Sequence, residues 1–229
     1  MNKKITTILL SVFVLIFTFS SVLIAEDAEY QDGRYVGYVP DDHGDVVVEV
    51  VIEHKAIADV NIVNPFKLEY DYEEGRQYWL EFPHMVLSEQ STEELDAVSG
   101  ATGSYERLTE ATNQALSIAD GTYDDNKYYG IAKDFEHGHV VVEITVENDE
   151  MTDFNFITAN PDLEDDSREK LMPAKDEDYA LEEAHEYFEE FPEKAVENQG
   201  NVDLVSGVTG SYESFNAALD MAMEQADLK

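Results

Sequence analysis

The chain has 229 residues, of which 51 are Asp or Glu and only 14 are Lys or Arg, so its formal charge at pH 7 is −37. Such a charge excludes a nucleic-acid-binding protein held by phosphate contacts. The absence of cysteine excludes disulfides, thiolate nucleophiles, iron–sulfur clusters and thiolate zinc sites, so any redox chemistry must come from a cofactor.

The N-terminal segment has the pattern of an export signal. Two lysines precede an uncharged apolar stretch over residues 5–25, and acidic residues begin at Glu26. Cleavage after Ala25 and retention as a membrane anchor both fit, because about 20 apolar residues also span a bilayer. We interpret residues 1–25 as a signal peptide or membrane anchor and expect an extracellular or cell-envelope protein. The acidity favours a high-salt, halophilic environment, where charge repulsion is screened.

The same motifs occur in the same order in both halves of the chain. They are an Asp-Gly-x-Tyr string at 32–35 and 120–123, valine-rich runs after a His-Gly pair at 46–50 and 140–144, Phe-Pro pairs at 82–83 and 191–192, and related ten-residue strings at 96–105 and 203–212. This repetition predicts two homologous domains, at residues 29–119 and 120–229.

Each half is predicted to contain a strand-rich part followed by two helices. The strands are expected at 35–39, 46–52 and 57–63, and again at 128–132, 140–146 and 151–157. One helix is expected to begin near each Phe-Pro pair, because proline suits the first helical position. Apolar residues at helical spacing predict a second, alanine-rich helix that closes each half and lies close to the sheet. The fold class is α+β, with two tandem copies of a small antiparallel sheet and packed helices.

A string of hydroxyl residues and glycines precedes each closing helix. Free N–H groups and the helix dipole at such a helix N-terminus favour an anion such as phosphate. The alternative is that Ser104 and Ser211 cap the helices and the glycines form turns. A cap needs only one side-chain oxygen, so the repetition of a whole string favours the anion site. The strings are Ser99-Gly100-Ala101-Thr102-Gly103-Ser104 and Ser206-Gly207-Val208-Thr209-Gly210-Ser211.

The motif at 96–104, the Asp-Gly-x-Tyr opening at 32–35 and the valine-rich strand between them resemble the FMN-binding domain family. This family occurs in periplasmic subunits of sodium-pumping NADH:quinone reductase, in Rnf-type complexes and in exported flavoproteins of extracellular electron transfer. The resemblance extends over both halves. It implies that a separate FMN transferase, which uses FAD and magnesium, bonds the phosphate of FMN covalently to Thr102. Thr209 is interpreted either as a second attachment point or as an unmodified residue.

The resemblance implies a cofactor-binding residue set in each half. A threonine hydroxyl becomes the phosphoester oxygen, glycines allow close approach, and serines donate hydrogen bonds. The acidic residue of each set is interpreted either as a recognition or magnesium-positioning group or as a turn residue. Because Val208 is larger than its counterpart Ala101, we expect the second half to be modified more slowly than the first or not at all. The sets are Asp96, Ser99, Gly100, Ala101, Thr102 and Ser104, and Asp203, Ser206, Gly207, Thr209 and Ser211.

The sequence predicts an exported flavoprotein that acts as an electron carrier rather than a complete enzyme, without catalytic or metal-binding residues of its own. Its expected partners are the transferase and either redox proteins or quinone-linked membrane complexes. The alternative is a cofactor-free cell-surface binding module that keeps the fold. A flavin-dependent reductase ranks last, because the chain has no nicotinamide-binding glycine fingerprint. Tyr78, Trp79 and Phe82 are interpreted either as flavin-stacking or as core residues.

Overall fold

The computed structural model describes residues 30–41, 44–63, 73–97, 100–134, 138–159, 171–175 and 179–229. The predicted export segment at residues 1–25 lies outside these ranges. Among the helices within them, none has both the length and the apolar character needed to cross a membrane.

The described residues form two antiparallel sheets and four helices, arranged in the same order in each half. The sheet orders are β1-β2-β3 and β4-β5-β6, so β2 and β5 are the middle strands. The α+β class, the strands and the closing helices predicted from the sequence are confirmed. The elements are β1 (Gly33–Val39), β2 (Val46–Glu53), β3 (Ala56–Ile62), α1 (Glu73–Glu89) and α2 (Thr102–Ala119), then β4 (Lys127–Asp134), β5 (Gly138–Glu147), β6 (Glu150–Ile157), α3 (Glu182–Asn198) and α4 (Thr209–Gln225).

The middle strand of each sheet is buried on both faces, which explains its run of valines. In β2, Val46 and Val48 pack into the core with the helices, whereas Val47 faces the core between the two sheets. In β5, Val140 likewise packs into the core with the helices, and Val141 faces the core between the two sheets. A strand that is covered on both sides requires apolar residues at successive positions rather than at alternate ones.

The closing helix of each half crosses the first strand at a glycine. A Cβ atom at Gly37 would lie 1.7 Å from the carbonyl oxygen of Ala111 in α2, and a Cβ atom at Gly130 would lie 1.9 Å from that of Ala218 in α4. Only hydrogen leaves room for the helix backbone at these positions. The close helix–sheet approach predicted from the alanine-rich helices is therefore confirmed.

The first helix of each half begins earlier than the sequence predicts. Pro83 lies ten residues inside α1 and Pro192 ten residues inside α3, so neither occupies the first helical position. An internal proline removes one helical hydrogen bond. The residues before the prolines, Phe82 and Phe191, are both fully buried. Their packing against the sheets compensates for the lost hydrogen bond, and tertiary contacts thus extend the helices on both sides of the proline.

The two Asp-Gly-x-Tyr strings occupy different places in the fold. Asp32 directly precedes β1, but Asp120 is the C-cap of α2, and the N–H groups of Thr122 and Tyr123 donate to the carbonyl oxygen of Ser117 at 2.9 and 3.0 Å. The second string therefore ends a helix, and β4 begins only at Lys127. The equivalence inferred for these two strings is wrong, whereas the division into two domains at this turn remains a prediction.

The sheets of the two halves meet through their faces opposite the helices. The rings of Tyr38 and Tyr129 lie with centroids 5.1 Å apart in this contact. The hydroxyl of Tyr129 donates to Glu143 Oε2 at 2.8 Å, and Lys127 Nζ donates to Glu143 Oε1 at 2.7 Å. The buried Glu143 carboxylate thus has two partners, which a charge at an apolar contact requires.

We expect the protein to lose stability in alkaline solution, because tyrosines are buried at this contact. Burial raises the pKa of Tyr38 and Tyr129, and burial raises that of Tyr123 to about 12. An unfolded tyrosine has a pKa of about 10, so folding favours the protonated form of these side chains. Their contribution to the free energy of unfolding is complete below pH about 10 and is lost as the pH rises toward 12. Urea unfolding at a series of pH values should show a falling free energy of unfolding above pH about 10. The decline should be shallower for Tyr38→Phe, and equal declines in both proteins would contradict this account.

Candidate functional site

The predicted attachment residues lie in an exposed loop and at the beginning of the closing helix of each half. Thr102 is the first residue of α2 and Thr209 is the first residue of α4, and both side chains are exposed. Asp96, Gly100, Asp203 and further residues of these loops are exposed as well. Each threonine hydroxyl is therefore accessible to a second protein. Ser99 lies outside the described residues.

The serines at 104 and 211 do not cap the helices. The N-cap residues are Ala101 and Val208, neither of which makes a side-chain capping hydrogen bond. Ser104 and Ser211 are instead the third residues of their helices. The capping alternative weighed for these serines is therefore wrong, and the first N–H groups of each helix have no side-chain cap.

Glycine is needed in the turn before each helix. The N–H group of Val208 donates to the carbonyl oxygen of Val205 at 3.3 Å, and Gly207 between them has a φ of 95°. A positive φ at the third position of such a turn favours glycine because it has no Cβ. Gly100 has a φ of 91° at the equivalent place. The glycine of the motif therefore turns the chain into the helix N-terminus in each half.

Buried residues hold both ends of each loop. Leu95 and Ala101 flank the exposed part of the first loop and belong to the core, as do Val202 and Val208 in the second half. The amide of Asn216 in α4 also holds the second loop, because its Oδ1 accepts from Val202 N at 2.8 Å and its Nδ2 donates to Val202 O at 3.1 Å. The exposed motif residues are thus presented from a fixed base.

The structure changes the interpretation of Ala101 and Val208. Both residues are only 3% exposed, and each packs into the hydrophobic core of its half. The additional methyl groups of Val208 therefore point into the core rather than toward an approaching transferase. Slower modification of Thr209 remains a prediction, but steric hindrance by Val208 has no structural basis.

An arginine that the sequence analysis did not single out lies beside the first loop. Arg107 Nε pairs with Asp41 Oδ2 at 2.6 Å, and a Cβ atom at Gly103 would lie 3.5 Å from Arg107 Nη2. The guanidinium thus lies next to the first turn of α2. The residue at the equivalent position of α4 is Ser214, whose hydroxyl donates to Gly210 O at 3.0 Å. The sequence already contained a signal for this position, because Arg107 lies four residues after Gly103 and residues at this spacing share one face of a helix.

The aromatic residues considered as flavin-stacking groups belong to the core. Tyr78, Trp79 and Phe82 are at most 2% exposed and pack in α1 against the first sheet. Tyr78 forms an edge contact with Tyr105, one turn into α2, with ring centroids 6.2 Å apart. These residues support the helix that carries Thr102 rather than offering a ring surface to solvent. Their interpretation as core residues is confirmed.

The residues of the first loop fit a phosphate monoester. An exposed hydroxyl, uncapped N–H groups at the start of a long helix and a guanidinium beside the same turn all favour an anion. These donors matter in a chain with a formal charge of −37, because the remainder of the protein repels an anion. Within the described part of the chain, no group of three or more His, Asp or Glu residues is arranged to hold a metal ion. Asp96 and Asp203 remain candidates for recognition during attachment.

Comparison with known proteins identifies a domain in the first half. Residues 42–117 match the family model described as the FMN-binding domain. The matched range extends from the residues before β2 nearly to the end of α2 and includes the Ser-Gly-Ala-Thr string. The match supports a flavin-binding protein with FMN as its cofactor. Neither a curated protein nor a solved structure matches the chain.

Proposed function

We propose that the chain is an exported flavoprotein that carries covalently attached FMN and acts as an electron carrier at the cell envelope. The observation that carries this proposal is the exposed Thr102 hydroxyl at the uncapped N-terminus of α2, within the range that matches the FMN-binding domain. The similar placement of the Thr209 hydroxyl supports Thr209 as a second attachment site.

Attachment requires only one reactive group from this chain. The threonine oxygen bonds to the FMN phosphorus of FAD, the pyrophosphate P–O bond breaks, AMP leaves with the bonding electrons, and the hydroxyl proton passes to the transferase or to water. The N–H groups of the first helical turn then stabilise the remaining phosphate charge. The exposure of Thr102 suits this reaction, because a separate enzyme must reach the oxygen.

The bound FMN supplies the redox chemistry, and this chain supplies a tether, an electrostatic environment and a rigid support. A covalent tether removes the affinity problem that a strongly acidic protein has with an anionic cofactor, and it prevents loss of the cofactor outside the cell. The proposed partners are the FAD-dependent transferase during maturation, and redox proteins or quinone-linked membrane complexes during electron transfer. The apolar segment at 5–25 supports export or anchoring.

The direct test is to produce the protein together with a flavin transferase and measure its intact mass. We expect protein that stays yellow after acid precipitation and carries one or two covalent FMN groups. Omitting the transferase is the control and should give colourless protein. Unmodified, colourless protein in both cases would contradict the proposal and favour the cofactor-free binding module.

Arg107 predicts a difference in loading between the two halves. A charged hydrogen bond from Arg107 to the phosphate would stabilise attachment at Thr102, and Ser214 cannot replace it. Because the guanidinium is partly exposed and already paired with Asp41, we expect Arg107→Gln to slow loading of Thr102 only by roughly three- to tenfold. A time course of FMN adducts, resolved by peptide mapping, measures both sites.

The matched variant is Arg107→Lys, which keeps a cation at this position and should load Thr102 faster than Arg107→Gln in the same assay. Circular dichroism melting of both variants checks that the fold is retained. Unchanged loading of Thr102 in a folded Arg107→Gln protein would remove Arg107 from the site.

A further inference from the structure

The direction of each closing helix relative to its first strand determines where each acceptor threonine lies. In the first half, Gln31 N donates to Ala119 O at 2.8 Å, at the beginning of β1 and the end of α2. At the other end of β1, Asp41 pairs with Arg107 near the beginning of α2. Strand and helix are therefore antiparallel, and Thr102 lies beyond the carboxyl end of β1.

The second half has the same arrangement. Gln225 Nε2, at the end of α4, donates to Tyr129 O at 2.5 Å, near the beginning of β4. Further along β4, Ile131 N donates to Met221 Sδ at 3.4 Å, one turn earlier in α4. Later residues of β4 therefore contact earlier residues of α4, so the strand and the helix are antiparallel. Thr209, the first residue of α4, lies beyond the carboxyl end of β4.

Two glutamine side chains show the relative direction of β1 and β4. Gln225 Oε1 accepts from Val36 N at 2.9 Å, and the same amide donates to Tyr129 O, so these two residues lie opposite each other. Gln114 Oε1 accepts from Tyr38 N at 2.8 Å, and its amide donates to Tyr123 Oη at 3.0 Å.

The second glutamine places the later part of β1 beside the beginning of β4. Tyr123 Oη donates in turn to Lys127 O at 2.6 Å, so this chain of hydrogen bonds connects Tyr38 to Lys127. Val36 thus lies opposite Tyr129, and Tyr38, two residues later in β1, lies near Lys127, two residues earlier in β4. The two first strands therefore run in opposite directions where the halves meet.

We infer from this geometry that the two acceptor hydroxyls lie at opposite ends of the protein. The helices α2 and α4 cross their first strands at Ala111 and Ala218. Thr102 and Thr209 each lie nine residues before these alanines, and the two helix segments extend in opposite directions. At 1.5 Å per residue, the two helix segments together span about 25 Å or more. If both threonines carry FMN, as the proposed function states, the flavins are separate groups that meet different partner surfaces, one at each end.

The surfaces at the two ends differ chemically. Arg107 lies beside the first acceptor, whereas two apolar side chains in the loop before the second acceptor are exposed, Leu204 by 53% and Val205 by 38%. A redox partner that docks at one end therefore meets a surface unlike that at the other end. This difference is consistent with two separate docking events rather than one shared site.

The absence of cysteine permits a distance measurement that does not require flavin. The double variant Thr102→Cys, Thr209→Cys would be labelled with nitroxides, and the label separation would be measured by pulsed electron paramagnetic resonance. We expect one distance population centred at about 25 Å or more, as the helix lengths require. A population centred below about 20 Å would overturn the inference. Each single-cysteine variant provides the background, and circular dichroism checks the fold.

A second measurement on loaded protein separates this inference from the proposed function. The visible spectrum and reductive titration of doubly loaded protein should equal the sum of those of Thr102→Val and Thr209→Val, each loaded once. A spectrum that departs from this sum would show interacting flavin rings and contradict independence. Failure of FMN to attach would contradict the proposed function, while the nitroxide distance would still decide the placement of the two threonines.

Discussion

Replacing Thr102 by Ala is expected to eliminate FMN from the first half of the protein while leaving the fold intact. The hydroxyl oxygen is the atom that becomes the phosphoester oxygen, and alanine has none. The side chain is exposed and makes no capping hydrogen bond with α2, and alanine is the better helix former, so stability should not fall. Peptide mapping of protein produced with a flavin transferase measures the result.

Ser104→Ala is the matched control for this experiment. Ser104 is two residues further into α2, does not cap the helix and is only partly exposed, so its variant should still carry FMN on the first half. FMN found on residues 96–107 of the Thr102→Ala protein would contradict the assignment of the acceptor. Loss of FMN from both variants would show that attachment requires Ser104 as well as the Thr102 oxygen.

Replacing Gly37 by Ala is expected to destabilise the first half severely. The added Cβ would lie 1.7 Å from the carbonyl oxygen of Ala111, and both partners are backbone atoms that cannot rotate away. Strand β1 and helix α2 would have to separate, which opens the core beneath α2. We expect a loss of about 3 kcal/mol or more in the free energy of unfolding, at or above the usual range for overpacked cores. Urea unfolding measures this change.

Gly210 offers a matched control in the second half. It lies in the first turn of α4, and a Cβ atom there would have no neighbour within 4 Å. Gly210→Ala should leave stability unchanged or raise it by up to about 1 kcal/mol, because alanine has the higher helix propensity. Equal effects of the two substitutions would contradict the close crossing of α2 and β1.

If both threonines carry FMN, the distance between them affects how the protein would transfer electrons. A carrier with two distant flavins gains capacity rather than speed of internal transfer, because each flavin exchanges electrons at its own surface. The contact between the halves is held by Gln114, Gln225 and the Tyr38–Tyr129 pair, none of which lies in the attachment loops. Substitutions in this contact should therefore affect stability without altering attachment.

Local sequence patterns determined the strands, the closing helices and the turn before each closing helix. Valine runs determined the middle strands, because a strand buried on both faces requires apolar residues at successive positions. The glycines of the motif marked the turns, since only glycine readily adopts the φ of 95° found at Gly207. These properties depend on neighbouring residues along the chain, so the sequence alone contains them.

Only the tertiary structure decided the features that depend on packing between distant segments. Burial of Phe82 extends α1 through Pro83, and burial of Val208 turns its methyl groups away from the acceptor, although local preferences indicate otherwise. The position of Arg107 beside Asp41 joins residues that are far apart in the chain. The opposite placement of Thr102 and Thr209 follows from how the two edge strands meet, and this direction depends on contacts between residues of different halves rather than on any local pattern.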